Sequence, residues 1–304
     1  MAFSVDQIKH LYNFPSHYLN RNGRKYHYLD EGQGEALVML HGNPSWSFMY
    51  RDLVRSLRNS YRTVVPDHIG CGLSDKPDSS EYVYTLEQRV SDLEALLDQI
   101  GATRNITLIM HDWGGPIGMT YAARNPSRIG RLIVLNTAAF LLPPGKALHW
   151  SLSFCRNSPV AEFLIRRWNA FARIATYVGC PGRPMPAEIR HAYAGPYDSW
   201  QHRIATLYFV RDIPLTPTDP SYAALKKTQE NLYLFQQTPM LICWGEKDFV
   251  FDRDFLNEWI RRFPNAEVHR FPTAGHYVLE ESPEAIIPLV RNFLASHNLN
   301  QQAT

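Results

Sequence analysis

Short apolar runs alternate with amphipathic stretches along the first half of the chain, and that rhythm predicts its architecture. Ala36-Leu37-Val38-Met39-Leu40 is apolar throughout, as a strand covered on both faces is. Thr63-Val64-Val65, the run from Asn105 to Met110 and Leu132-Ile133-Val134-Leu135 repeat the pattern. Lys25 to Leu29 follows an Asn22-Gly23 turn and reads as the second arm of a hairpin. Between the strands, an amphipathic stretch surrounds Leu53, Val54 and Leu57. Leu86, Val90, Leu93, Leu97 and Ile100 recur at helical intervals until Gly101 stops them. Thr85 and Gln88 stand at capping-box spacing ahead of that helix, and Pro116 to Arg124 reads as another. Strands alternating with helices imply an α/β fold, with a mostly parallel sheet flanked by helices.

The alternation stops after Asn136. From Phe140 to Leu215 the chain is rich in Trp, Tyr, Arg and Pro, with helix-like pieces and no strand pattern. This predicts a helical cap inserted into a sheet domain: core 1–139, cap 140–217, core 218–304. Two further strand patterns follow, Met240 to Trp244 and Ala266 to Phe271. Ser282-Pro283 then opens the last helix, with Ser282 as its cap and Pro283 in its first turn.

Composition narrows the function classes. At 304 residues with 45% hydrophobic content, the chain can bury a large core. Its net charge is +2, and no basic stretch of the kind that marks nucleic-acid binders occurs. Cys71, Cys155, Cys180 and Cys243 lie far apart and read as reduced thiols. No His-Glu-x-x-His pair supports a metalloprotease. The N-terminal stretch lacks the pattern of a secretory signal, and no apolar run reaches the ~18 residues of a membrane span. A cytoplasmic protein is expected, with homo-oligomer formation left open.

Candidate chemistry gathers at strand ends. The strand ending at Met110 runs directly into His111-Asp112-Trp113-Gly114-Gly115 and a helix. α/β-hydrolases present a nucleophile on such a corner, normally serine. An aspartate there is already ionised at neutral pH and can attack carbon without a base to activate it. Asp248 ends the next-to-last strand and His276 follows the last, so nucleophile, acid and histidine occur in the order that fold prescribes. Singly, such an Asp is often a helix cap and such a His structural; the ordered trio at strand ends is what points to a site. Asn43, in His41-Gly42-Asn43-Pro44, and Trp113 stand where this fold places its two backbone oxyanion-hole donors. Their side chains carry further donors, an amide NH₂ and an indole N–H. Turn residue and core aromatic are the plainer roles for this pair. Met110 departs from the elbow of serine hydrolases, which have a glycine at that position.

The chain resembles the haloalkane dehalogenases over nearly its whole length. The resemblance is carried by His41-Gly42-Asn43-Pro44-Ser45-Trp46, the stretch from Asp67 to Pro77, His111-Asp112-Trp113-Gly114-Gly115 and Gly275-His276. Asn136, where some members have glutamate, together with Asp248 and the Asn43–Trp113 pair, is similar to the third dehalogenase subfamily. That subfamily is in turn similar to the β-lactone decarboxylases of bacterial olefin biosynthesis. Asn136-Thr137-Ala138-Ala139-Phe140, Pro196-Tyr197-Asp198-Ser199-Trp200 and Arg211-Asp212-Ile213-Pro214-Leu215 resemble those enzymes.

The resemblance implies an α/β-hydrolase fold and an enzyme that needs no metal or organic cofactor. Its partners would be a hydrophobic small-molecule substrate and a halide ion. Asp112 would form an alkyl-enzyme ester, Asn43 and Trp113 would hold the departing halide, and His276, supported by Asp248, would activate the hydrolytic water. The first alternative is β-lactone decarboxylation on the same five residues. The second is epoxide hydrolysis, which needs two cap tyrosines from among Tyr177, Tyr193, Tyr197 and Tyr208. Fluoroacetate dehalogenation lacks its arginine pair after the nucleophile, and an inactive scaffold would be expected to lose a triad member. Trp150, Trp168, Phe171 and Trp200 are expected to divide between packing and pocket lining, and Arg203 and Arg211 to form surface ion pairs.

Overall fold

Each apolar run of the sequence is a strand in the computed structural model, which describes residues 3–299. The strands are β1 (His17–Arg21), β2 (Arg24–Glu31), β3 (Ala36–Leu40), β4 (Arg62–Pro66), β5 (Ile106–Asp112), β6 (Ile129–Thr137), β7 (Met240–Gly245) and β8 (Glu267–Phe271). They form one sheet in the order β1-β2-β4-β3-β5-β6-β7-β8. The β1–β2 hairpin and the β2–β4 pair are antiparallel, and every pairing from β4 across to β8 is parallel.

The helices are α1 (Arg51–Leu57), α2 (Leu86–Gln99), α3 (Gly114–Arg124), α4 (Trp150–Asn157), α5 (Pro159–Trp168), α6 (Ala170–Val178), α7 (Ala187–Ala194), α8 (Ile204–Arg211), α9 (Tyr222–Asn231), α10 (Arg253–Arg262), α11 (Val278–Glu281) and α12 (Pro283–Ser296). Alternate residues of β3 serve opposite layers, as the two-residue period of a strand requires. Val38 and Leu40 join Leu93, Leu97 and Ile117 on one face, while Leu37 and Met39 join Leu53, Val54, Ile286 and Val290 on the other. Segment 140–217 holds α4 to α8 and no strand.

Two helix starts differ from the sequence expectation. Thr85 accepts the Gln88 backbone N–H at 3.4 Å, but the Gln88 side chain turns to Asp92 instead of closing the box. Ser282 makes no side-chain capping bond; Pro283 alone marks the start of α12. Neither changes the architecture.

One topological detail positions the site. The chain passes from β3 outward to β4, then returns across to β5 on the other side of β3. The loops leaving β3 and β5 therefore diverge and open a crevice at the carboxyl ends of the strands. Leu40 pairs with Met110, which brings the loop carrying Asn43 beside Asp112.

Candidate active site

β5 ends on Asp112, where the backbone turns at φ +50°. That left-handed conformation costs an L-residue about 1–3 kcal/mol and persists only where the surroundings impose it. Two glycines let the chain crowd in. A Cβ on Gly114 would lie 1.9 Å from the Leu40 carbonyl oxygen, and one on Gly42 would lie 2.0 Å from Asp112 Oδ1. The Thr137 hydroxyl donates to the Asp112 carbonyl and ties the corner to β6.

The two carboxylate oxygens of Asp112 have different surroundings. Oδ1 accepts the Asn43 backbone N–H at 2.5 Å, and the Trp113 backbone N–H also holds the carboxylate. Oδ2 lies 3.9 Å from His276 Nε2, beyond hydrogen-bond reach. Burial pushes the Asp112 carboxyl up to about 6, against the pull of His276 and the two backbone donors.

His276 Nδ1 stands 2.8 Å from Asp248 Oδ2. Burial would lower this imidazole, but the Asp248 and Asp112 charges outweigh it and the group is raised. Phe251 stacks on the ring at 6.0 Å. Asp248 Oδ1 accepts the Val250 and Phe251 backbone N–H groups at 2.7 and 3.1 Å. Asp248 Oδ2 takes a further bond, at 3.1 Å, from Asn136 Nδ2. The structure thus brings Asp112, His276 and Asp248 together as the sequence order predicts.

Sequence reasoning noted Asn136 but missed its task. It stands one residue before the end of β6 at φ +36°, accepts the Gly245 N–H at 2.8 Å, donates to the Gly245 carbonyl at 3.0 Å and fixes Asp248 with the same amide. His111 was also missed. Its Nε2–H donates to the His276 carbonyl at 2.8 Å, and burial holds its ring well below the ordinary imidazole range, hence neutral.

Asn43 and Trp113 both line the cavity over Asp112. Asn43 Nδ2 donates to the Thr206 carbonyl at 3.1 Å, which engages one of its two hydrogens. No side-chain hydrogen bond among the described residues engages the Trp113 indole N–H; its ring packs on Phe209 at 5.5 Å. The cavity measures about 710 Å³, within the usual range for a small-molecule site, and its walls are mostly apolar.

Phe171 and Trp150 line this cavity, while Trp168 and Trp200 stand exposed outside it. Arg211 pairs with Glu162, as a surface ion pair should; Arg203 is instead buried, donating to the Tyr197 and Arg166 carbonyls. The four cap tyrosines are committed elsewhere. Tyr193 donates to Glu280, Tyr197 to the Ser45 carbonyl, Tyr208 stacks on Tyr84 and Tyr177 is exposed. None lines the cavity, so the phenols that would protonate an epoxide oxygen are not at the site. No group of His, Cys, Asp or Glu among the described residues is placed to hold a metal ion.

The model of the alpha/beta hydrolase fold matches residues 35–283. The chain belongs to the alpha/beta hydrolase fold family. This hydrolase is 53% identical over 281 residues to the cis-3-alkyl-4-alkyloxetan-2-one decarboxylase of Shewanella oneidensis, covering 92% of this chain and 88% of that one. It is 30% identical over 289 residues to haloalkane dehalogenase 2 of Mycobacterium tuberculosis, covering 94% and 97%. The crystal structure of the haloalkane dehalogenase DatA from Agrobacterium tumefaciens C58 superimposes with a TM-score of 0.84 at 25% identity, over 95% of this chain and 99% of that one. Both resemblances read from the motifs are therefore present among its relatives, and the β-lactone decarboxylase is nearer than the dehalogenase in identity.

Proposed function

We propose that the protein is a β-lactone decarboxylase acting on cis-3,4-dialkyl-oxetan-2-ones, with segment 140–217 as the cap over its cavity. The 53% identity to the Shewanella oneidensis decarboxylase carries the choice of substrate. The site supports it with an ionisable Asp112 facing a large, mostly apolar cavity. Asp112 Oδ2 attacks ring carbon C4, and the C4–O bond breaks. The freed substrate carboxylate takes the place between the Asn43 amide and the Trp113 indole N–H. Its bond to C3 then breaks, the electron pair forms the C3=C4 double bond, and the Asp112 carboxylate leaves. Alkene and carbon dioxide are the products, and no water is consumed. Oδ1, already held by the Asn43 backbone N–H, needs no rearrangement to become the ester carbonyl oxygen.

Haloalkane hydrolysis is the second reading, favoured by the paired Asn43 and Trp113 donors and the 30% identical dehalogenase. There a halide leaves from the carbon that Oδ2 attacks. His276, oriented by Asp248, removes a proton from the water that hydrolyses the ester. Side-by-side assays with a long-chain cis-β-lactone and a 1-bromoalkane separate the readings. Alkene from the lactone is expected; bromide release with no alkene would remove the decarboxylase reading. For the nucleophile itself, a His276→Phe variant given the bromoalkane should stall with one alkyl group on Asp112, visible by intact-protein mass spectrometry. An unmodified protein that still binds the substrate would count against Asp112.

A further inference from the structure

The cavity over Asp112 reaches the surface through its own walls. Trp150 and Phe154 of α4, Ile174 and Val178 of α6, and Phe249 line the cavity, yet all are exposed. Trp150 is 74% exposed and Ile174 58%, far more than packing against a substrate alone would leave. Tyr177 extends the same face of α6 without lining the cavity. A contiguous apolar rim of this kind marks a surface that meets another apolar phase.

The charge of the segment that carries the rim narrows what that phase is. Segment 140–217 carries nine Lys and Arg against four Asp and Glu, although the whole chain is near balance at +2. Arg167 at the end of α5 and Arg173 on α6 are exposed, and Arg190 lies over the Tyr177 ring at 4.3 Å. Among the described residues none of these three is in an ion pair; Glu162 is engaged by Arg166 and Arg211, and Asp212 by Arg89. On the core side Asp252 lines the cavity, and with Asp254 it holds Lys146. An exposed apolar rim on a segment with a surplus of uncompensated arginines has the composition of an interfacial membrane-binding face, in which the apolar groups enter the acyl boundary and the cations meet anionic headgroups.

We propose that this mouth face seats on an anionic lipid bilayer, from which a long-chain substrate enters the cavity without crossing water. The docking itself follows from the rim and the arginines of the segment that carries it; only the identity of the cargo rests on the β-lactone reading. No helix among the described residues is long and apolar enough to cross a membrane, so the contact would be peripheral and reversible.

The test uses the full chain without substrate, co-sedimented with phosphatidylglycerol-containing vesicles or with pure phosphatidylcholine vesicles. Binding to the anionic vesicles at low salt is expected, at least about tenfold weaker in high salt, on neutral vesicles or for Arg167→Glu/Arg173→Glu. Tyr177→Asp should weaken binding while turnover of a short, water-soluble β-lactone stays unchanged, since neither Tyr177 nor the two arginines line the cavity. Circular dichroism checks that the variants fold. Wild-type protein left in the supernatant with anionic vesicles would overturn the proposal, as would vesicle binding indifferent to the charge reversal. So would a wild-type oligomer in sedimentation velocity that Tyr177→Asp dissociates, which would make the face a contact between copies. Absence of alkene in the lactone assay would sink the substrate reading and leave the vesicle result standing.

Discussion

Burial holds the Asp112 carboxyl at about 6, roughly two units above an exposed aspartate, and this one group should report on both activity and stability. The nucleophile must be ionised, so the rate of the first chemical step should climb with pH through about 6 and then level off. Stability should move the other way. The folded protein holds this proton more tightly than the unfolded chain does, so the contribution of Asp112 is complete below about 4 and is lost as pH rises through about 6. Asn is nearly isosteric and carries no charge. Asp112→Asn should therefore abolish turnover yet resist urea better than wild type at pH 7.5, by about 1–3 kcal/mol, with the gap closing near pH 4. Equal stability at both pH values would mean that the ionised carboxylate is fully compensated in place by its backbone donors and His276.

The loop after β4 makes a comparable case at the scale of one element. The glycine-rich stretch from Asp67 to Gly72 resembles a family motif, and its chemistry is structural. Asp67 accepts the Ser47 and Leu73 backbone N–H groups at 2.6 and 2.8 Å and lies 2.8 Å from His27 Nδ1, all without solvent. Burial alone would raise this carboxyl, but His27, His41 and the Leu73 N–H outweigh it and hold it at about 2. The resulting stabilisation is present above about 4 and is lost as pH falls toward 2. Asp67→Ala leaves those buried donors unpaired and should cost about 3–5 kcal/mol in chemical denaturation. Protein that remains folded should keep most of its kcat, because Asp67 touches no cavity atom. Strands such as β3 and β5 were legible in the sequence because an unbroken apolar run has few alternatives to a buried strand. Asn136 was not legible as a support for Asp248. The two are 112 positions apart, and only the pairing of β6 with β7 joins them.

Across the whole molecule, the segment expected as the cap is tied to the sheet by a contact that no local pattern announces. Asp212, just past α8, accepts the Leu86 N–H at the start of α2 at 2.9 Å, the Ser221 hydroxyl at 2.6 Å and Arg89 Nη1 at 3.3 Å. Arg89 is fully buried; its guanidinium lies 3.7 Å over Phe209 and 5.7 Å from the Trp113 ring, and Nε and Nη2 have no hydrogen-bond partner among the described residues. Burial raises the Asp212 carboxyl to about 6 even with this cation beside it. Arg89→Met would therefore strand an ionised carboxylate at pH 7.5 and cost about 3–5 kcal/mol, less at pH 5, where Asp212 takes up a proton. Asp212→Asn in the Arg89→Met background should recover much of the loss, because the stranded charge is gone. Urea denaturation of the four proteins at both pH values measures this. If the double variant is no more stable than Arg89→Met, the guanidinium acts through its packing on Phe209 and Trp113 instead. The cost should then be independent of pH and accompanied by a lower kcat/KM, since Trp113 walls the cavity over Asp112.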